Sequence, residues 1–397
     1  MSDTFTEVTR ISWMKRSQSA LVGALLGLAL FFGAFFVLAW NEGRSVERIR
    51  TLDAGLRAVV EVDPANPGAA PDGALVHFWG QATTAQTVRD PVFGLALPGD
   101  LRLRRKVEMY QWQETKRSRT EEQLGGDQVT RTTYSYRKDW SQEHVDSGRF
   151  RRPQGHENPS AMPYAGATFT AQPITVSRLT LDKAIAEKIG GWEAYPLSEG
   201  AAASMRPPPG FRLAGSWLYR GQNPDSPRVG DVRVRFAHVA PGPVSVVGQL
   251  SAGRVTPHTM PTGTIALVES GQVDAAAMFA HAKSANAFLT WLMRLGGFVM
   301  MWVGLVLVVR PLRVLCAFVP LLGQIVGAGA GLLAGLVALC LSLVTIALAW
   351  LAFRPVLAVV LLAVGGLCLL AGGRVLYARG SRRVQAAPSA EGQAARR

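Results

Sequence analysis

The sequence predicts an α+β membrane protein: four transmembrane helices, with a mostly β extramembrane domain inserted between helices 1 and 2. Three observations carry this. Uncharged apolar runs long enough to cross a bilayer sit at both ends of the 397-residue chain. Residues 41–287, between them, hold 29 Lys and Arg against 25 Asp and Glu, the mixed charge of a water-facing domain. The net charge of +14 is also segregated, because residues 288–397 hold ten Arg and one acid, Glu391. An excess confined to membrane flanks and a tail argues against a nucleic-acid-binding face. With 48% hydrophobic residues the chain is not disordered.

Residues 1–19 read as a short cytoplasmic flank carrying Arg10, Lys15 and Arg16. Residues 20–40 follow, 21 positions without a charge. At about 1.5 Å per residue they span a hydrocarbon core of about 30 Å. The run exceeds the apolar core of a signal peptide, and LAWNEGR lacks a small-x-small cleavage pattern. It reads as a retained anchor, with Trp40 where an interfacial aromatic belongs.

The domain at 41–287 has no cysteine, since Cys316, Cys340 and Cys368 all lie in the last third. Its fold must rest on packing alone. Pro- and Gly-rich punctuation marks loops at 63–68, 152–163, 206–210 and 223–227. Between the loops, 57–62, 74–79, 106–112, 129–136, 231–239 and 244–250 alternate or are β-branched, as strands do, and 211–219 adds another. One helix is expected at 181–189, capped by Thr180 and stopped by Gly190 and Gly191. A second should start near Asp274 and run into span two. LVHFWGQ at 75–81 echoes VSVVGQL at 244–250, which points to two related, small barrel-like modules.

Beyond the domain, 288–310 is expected to form helix 2, with Arg294 snorkelling to the head groups. Residues 311–320 read as an interfacial or re-entrant segment after the break at Arg310-Pro311. Helix 3 is expected at 321–350, helix 4 at 356–373 and a basic cytoplasmic tail at 374–397. Gly323, Gly327, Gly331 and Gly335 recur every four residues and line one face of helix 3, a groove for close packing. Gly23 and Gly27 on helix 1 offer a counterpart. The N-terminal flank, the Arg310/Arg313 loop and the tail are the basic segments, so positive-inside counting puts them in the cytoplasm. The large domain and Arg354 then lie on the other side.

No catalytic, cofactor or metal site stands out. The six histidines fall in no H-E-x-x-H or C-x-x-C setting, and Glu143-His144 with His156-Glu157 reads as polar surface loop. Asp90, Pro91, Phe93 and Gly94 make a turn, in which Asp initiates, Pro fixes φ and Gly closes. RLRRK at 102–106 is a local basic patch, expected to be a solvated strand edge, with contact to anionic lipid as the alternative. No span carries an Asp or Glu, which argues against an ion-coupled transporter.

Several fragments together resemble one family. They are Trp40-Asn41-Glu42-Gly43-Arg44, Asp90-Pro91-x-Phe93-Gly94, Val107-Glu108-Met109-Tyr110-Gln111-Trp112, Gly230-Asp231-Val232-Arg233-Val234, Thr290-Trp291-x-x-Arg294 and Arg354-Pro355. In this order they are similar to the LUMA (transmembrane protein forty-three) family across nearly the whole chain. The resemblance implies four spans, one large domain after the first, and no enzyme activity or cofactor. In animals the family lies in the endoplasmic reticulum and inner nuclear membrane, where it implies a self-associating organiser that binds lamins and emerin. The Ala-, Gly-, Arg- and Val-rich composition suits a GC-rich bacterium, where those partners have no place. What transfers is a plasma-membrane scaffold that contacts the bilayer and other membrane proteins, forms homo-oligomers and exposes its domain outside the cytoplasm. Asn41, Glu42, Gly43, Arg44 and Arg294 are expected at the membrane boundary, pinning the domain to span one. The alternative is a protein that binds or processes lipids or envelope components, with a groove at the outer leaflet.

Overall fold

The computed structural model describes residues 3–122, 127–316 and 320–353. The chain begins with β1 (Asp3–Ile11) and α1 (Trp13–Ala58), then β2 (Val60–Glu61), β3 (Leu75–Thr83), β4 (Thr87–Arg89), β5 (Ala96–Pro98), β6 (Arg102–Glu122) and β7 (Gln128–Ser141). Next come β8 (Ala167–Thr170), β9 (Ile174–Val176), β10 (Leu179–Leu181), α2 (Lys183–Ala186), β11 (Glu193–Ala194) and α3 (Glu199–Ser204). The remaining strands are β12 (Phe211–Ala214), β13 (Trp217–Arg220), β14 (Val232–Val239), β15 (Gly242–Ser251), β16 (Arg254–Thr256), β17 (His258–Met260), β18 (Gly263–Ile265) and β19 (Leu267–Ser270). Two long helices close the described chain, α4 (Ala275–Cys316) and α5 (Pro320–Phe353).

Among the described residues three helices, α1, α4 and α5, are long and apolar enough to cross a membrane. α1 is one rod of 46 residues, about 69 Å long. It starts ahead of Ala20 and continues through Asn41 to Arg44 up to the barrel. α4 begins where Asp274 caps it, the carboxylate accepting from the Ala277 N–H at 2.7 Å. The break expected at Pro311 does not occur, and α4 runs through it to Cys316. Proline there removes one N–H, a loss that packed apolar helices tolerate. Of the segment expected to be interfacial or re-entrant, 311–316 is therefore helix. Residues 317–319, the fourth span expected at 356–373 and the tail at 374–397 lie outside the described residues.

The helices meet through glycine. A Cβ on Gly27 would lie 2.6 Å from the Gly304 carbonyl oxygen, and a Cβ on Gly304 would lie 2.8 Å from that of Gly27. Backbones this close need bare Cα positions on both helices. Gly27 thus pairs with α4, not with the glycine column of α5. In that column a Cβ at Gly331 would meet nothing within 4 Å among the described residues, and Gly335 lies under the Trp302 indole at 3.3 Å from its would-be Cβ. The same indole N–H donates to the Gly331 carbonyl at 3.0 Å. The surroundings of Gly323 and Gly327 lie outside the described residues.

Between α1 and α4 in the chain, β3, β15, β16, β10 and β9 close into a five-stranded barrel, because β3 pairs with both β15 and β9. The echoing segments are thus neighbours in one barrel, Val246 opposite Phe78, not the marks of two modules. The helix expected at 181–189 shrinks to one turn. Leu179 and Leu181 point into the core from β10, and Asp182 caps α2 in place of Thr180. A second sheet runs β12–β13–β14–β6–β7–β1, with β8 on β6 and β11 on β14. RLRRK lies in its interior, not at a solvated edge, and Arg102 and Arg105 are buried. One hydrophobic core joins barrel and sheet.

The N-terminal flank is itself a strand. DTFTEVTRI carries alternating β-branched residues, and β1 pairs antiparallel with β7 from Asp3 opposite Tyr136 to Ile11 opposite Gln128. His156 anchors its start, bonding the Asp3 carboxylate through Nε2 at 3.0 Å and stacking on Tyr136. His144 instead bonds the Pro159 carbonyl. Among the described residues no three His, Cys, Asp or Glu side chains group as metal ligands.

Two outcomes are expected. Gly27→Val should lower the stability of the full chain in detergent by about 1–3 kcal/mol through overpacking, while Gly331→Ala changes it by less than about 0.5 kcal/mol; thermal unfolding reads both. Val8 and Arg131 face each other in the ladder. With the three native cysteines replaced by serine, Val8→Cys/Arg131→Cys should cross-link under mild oxidation of the full chain in detergent. A cross-link in intact vesicles would place β1 on the domain's side.

Candidate functional site

On α4, Asn286, Thr290 and Arg294 are spaced four apart and form one column. Facing it on α1 are Asn41, Glu42, Arg44 and Ser45. Arg44 Nη1 donates to Asn286 Oδ1 at 3.0 Å, and its Nη2 to Asn41 Oδ1 at 3.1 Å. The Asn41 amide donates to the Thr290 carbonyl at 3.2 Å. The Thr290 hydroxyl lies 2.9 Å from Ser45 Oγ, and the Asn286 amide donates to the Ser45 carbonyl at 3.2 Å. Polar groups between apolar helices cost free energy unless they are bonded, and each of these has a partner.

Glu42 is the centre of the junction. It is 2% exposed. Arg294 meets it bidentately, Nε to Oε1 at 2.7 Å and Nη2 to Oε2 at 2.9 Å. The Trp350 indole of α5 donates to Oε2 at 2.8 Å. Arg294 also lies over the Trp291 ring at 4.8 Å and the Trp350 ring at 5.7 Å. One carboxylate therefore ties three helices. Gly43 completes the motif, because a Cβ there would lie 2.9 Å from the Phe353 ring of α5. Arg50 donates to the Phe353 carbonyl at 2.8 Å.

The expected boundary motif and Thr290-Trp291-x-x-Arg294 thus come together. The pinning differs from expectation: Asn41, Glu42 and Arg44 hold α1 to α4 and α5 rather than to the β domain. Sequence reading missed Ser45, Asn286 and Trp350. Asn286 stands four residues before Thr290, and that spacing was the available signal.

The Asp90 turn is a second buried knot. Asp90 is fully buried, accepts from the Val92 and Phe93 N–H groups at 2.8 and 3.2 Å, and takes Arg105 Nη1 on both oxygens at 2.6 and 2.8 Å. Pro91 leads the turn into Phe93, whose ring packs edge-on against Tyr164, Phe211 and Phe236. Gly94 has φ +71°, and a Cβ there would lie 2.7 Å from the Arg206 nitrogen, so only glycine fits. On the sheet, Glu108 bonds its cross-strand neighbour Arg233 at 2.7 Å. Arg233 is stacked between Trp140 and Trp217. Tyr219 donates to Asp231, and burial followed by that hydrogen bond raises its pKa above the usual phenol value.

Asn41, Glu42, Asp90, Phe93, Glu108 and Thr290 are buried against other parts of the chain. Comparison with known proteins agrees with these motifs, since the model of the family described as transmembrane protein 43 matches residues 109–355. The chain belongs to the transmembrane protein 43 family. Transmembrane protein 43 of Mus musculus is 34% identical over 356 residues, covering 86% of this chain and 87% of that protein. The Homo sapiens protein is 33% identical over 371 residues, covering 90% of each. The Drosophila melanogaster homolog is 30% identical over 367 residues, covering 89% of this chain and 93% of that protein. No solved structure matches. The chain is thus a membrane protein of this family.

Glu42→Ala should destabilise the full chain by about 3–5 kcal/mol, because it strands the Arg294 guanidinium between helices. Glu42→Ala/Arg294→Ala should cost less than the two single changes together. Unfolding in detergent, followed by tryptophan fluorescence, measures both. Single variants as stable as wild type would show that the clamp does not hold the helices.

Proposed function

We propose that the protein is a non-catalytic organiser of membrane-protein complexes, acting through helix packing and through its β domain. The observation that carries this reading is the inward direction of the motif residues. Asn41, Glu42, Arg44, Thr290 and Arg294 are spent on one another, which is how a rigid frame is built, not how groups are presented to a substrate. The frame leaves surface for partners. Among the described residues no atom lies within 4 Å of a Cβ added at Gly331, and Leu332, Leu336, Leu339 and Leu343 form an exposed apolar stripe on α5. Small residues beside such a stripe favour close association in lipid.

In this reading the protein contacts lipid and other membrane proteins, associates with copies of itself, and lies in a bacterial plasma membrane with its β domain outside the cytoplasm. The segregated arginines support that orientation. It uses no cofactor.

The experiment is cross-linking of the full chain in native membranes, followed by mass measurement in mild detergent. Assemblies larger than one chain are expected, and Gly327→Ile/Gly331→Ile should reduce them to single chains. A wild-type protein that stays a single chain in both settings, with no membrane protein attached, overturns the scaffold reading.

A further inference from the structure

The outer face of the second sheet carries more positive charge than it pairs. Leu103, Arg105, Val107 and Met109 of β6 are buried toward the core, so Arg104, Lys106 and Glu108 stand on the opposite face. β14 brings Arg233 and Arg235 to that face, opposite Glu108 and Lys106. Arg233 and Gln142 both engage the Glu108 carboxylate. Lys106 then stands directly opposite Arg235, a like-charge pair that costs the sheet stability. Among the described residues the ion pairs of this region are Arg105 with Asp90 and Arg233 with Glu108. None reaches Arg104, Lys106 or Arg235. A cavity of about 460 Å³ opens beside Arg104 and Lys106, and among the described residues no carboxylate lines it.

The surroundings identify what fits. Arg104 lies over the Trp192 ring at 3.9 Å, which fixes the guanidinium plane and leaves its N–H edge for a carboxylate. Arg104 and Lys106 are two apart on one strand, about 7 Å, the repeat at which alternate side chains of an extended peptide recur. The cavity wall adds backbone. β8 pairs with β6 as far as Arg105 opposite Ala167, and β7 takes over at Met109 opposite Ser141. Val107 lies between them and lines the cavity, with no ladder partner on that side for its N–H or its carbonyl. A peptide answers both groups, whereas an inorganic anion answers only the N–H. Other anionic partners fit less well. Gly166 and Ala167 give too little apolar wall for an acyl chain. Trp140, Trp192 and Trp217 each carry a guanidinium where a stacked base would lie.

We propose that this patch binds an extended acidic peptide, with carboxylates at alternate positions on Arg104 and Lys106 and with Arg235 beside them. It rests on the organiser reading for the partner being another protein, and it gives the β domain of that reading a docking surface. The test uses the full chain in neutral detergent with two labelled peptides, Glu-Ser-Glu-Ser-Glu-Ser and Gln-Ser-Gln-Ser-Gln-Ser, read by fluorescence anisotropy. Wild type should bind the glutamate peptide about tenfold more tightly than the glutamine peptide, and Lys106→Gln/Arg235→Gln should lower that affinity about tenfold. Lys116→Gln/Arg117→Gln, which removes the same charge farther along β6, should leave it unchanged. The Lys106→Gln/Arg235→Gln chain should also unfold at or above the wild-type temperature, because it loses the like-charge pair. Equal affinity of wild type for the two peptides, a result that needs no variant, overturns the proposal. So does an equal loss in the Lys116→Gln/Arg117→Gln chain, or displacement of the peptide by inorganic phosphate at the peptide's own concentration. Unfolding of Lys106→Gln/Arg235→Gln below the wild-type temperature overturns it too, since the two cations would then hold the fold and not a ligand. None of these results bears on whether the chain assembles in native membranes, so this proposal and the organiser reading fail separately.

Discussion

The desolvated ion pair between Glu42 and Arg294, closed by the Trp350 indole, is the constraint on which the rest depends. Inside a bilayer, apolar helices gain little from touching one another rather than lipid, so their mutual register needs another source. A buried charge supplies one. Removing an ion from water costs several kcal/mol, and only a partner with the right geometry repays it. Of all the ways α1, α4 and α5 can slide, this excludes every one that leaves Glu42 or Arg294 unpaired. The pair adds little net stability, and its contribution is specificity.

Register at the junction fixes the barrel. α1 leads into β2, and α4 leaves just after β19, so the chain enters and exits the β domain from two helices already locked together. A small core continues the contact, with Leu52 of α1 and Met278 and Phe279 of α4 packed against Leu75, Val247 and Ile265 of the barrel side. Gly55 permits this approach, because a Cβ there would lie 2.3 Å from the Ile265 side chain. The first long strand pair of the barrel, β3 with β15, sits directly on this core. Membrane frame and β domain are therefore one mechanical unit.

Much of this was legible in the sequence, for identifiable reasons. Spans announce themselves by composition over about 20 residues, and the Asp90 turn by local chemistry, both short-range signals. The Glu42–Arg294 pair joins residues 252 positions apart, and no local pattern reports such a contact. Only the order of the family's fragments put both ends in view. RLRRK misled because charge usually marks a wet edge, whereas here Asp90 and the Ile189 carbonyl bond the buried guanidinium groups. The echo between 75–81 and 244–250 reflected two strands meeting the same barrel wall, not a duplicated module. Pro311 failed as a stop signal because proline removes only its own N–H from the helix, and α4 continues through it to Cys316.

One part of the architecture sets two demands against each other. β1 is laddered to β7, and the outer half of that sheet carries Lys116, Arg117, Arg119 and Arg131, charges and open edges that hydrocarbon does not accept. Yet β7 starts beside Trp13, whose backbone N–H donates to Asp127 at 3.0 Å, at the far end of a helix built for hydrocarbon. The magnitudes decide between them. Each ladder hydrogen bond is worth about 0.5–1.5 kcal/mol net, and ordering each residue costs about 1–2 kcal/mol, so a mostly exposed nine-residue strand is held weakly. Leu21, Val22, Leu25, Leu26, Phe32 and Phe36 stand exposed on α1. At about 1.5–3 kcal/mol each, their transfer out of water is worth about 10–20 kcal/mol together. Burial of α1 in lipid therefore contributes far more than the β1–β7 ladder does.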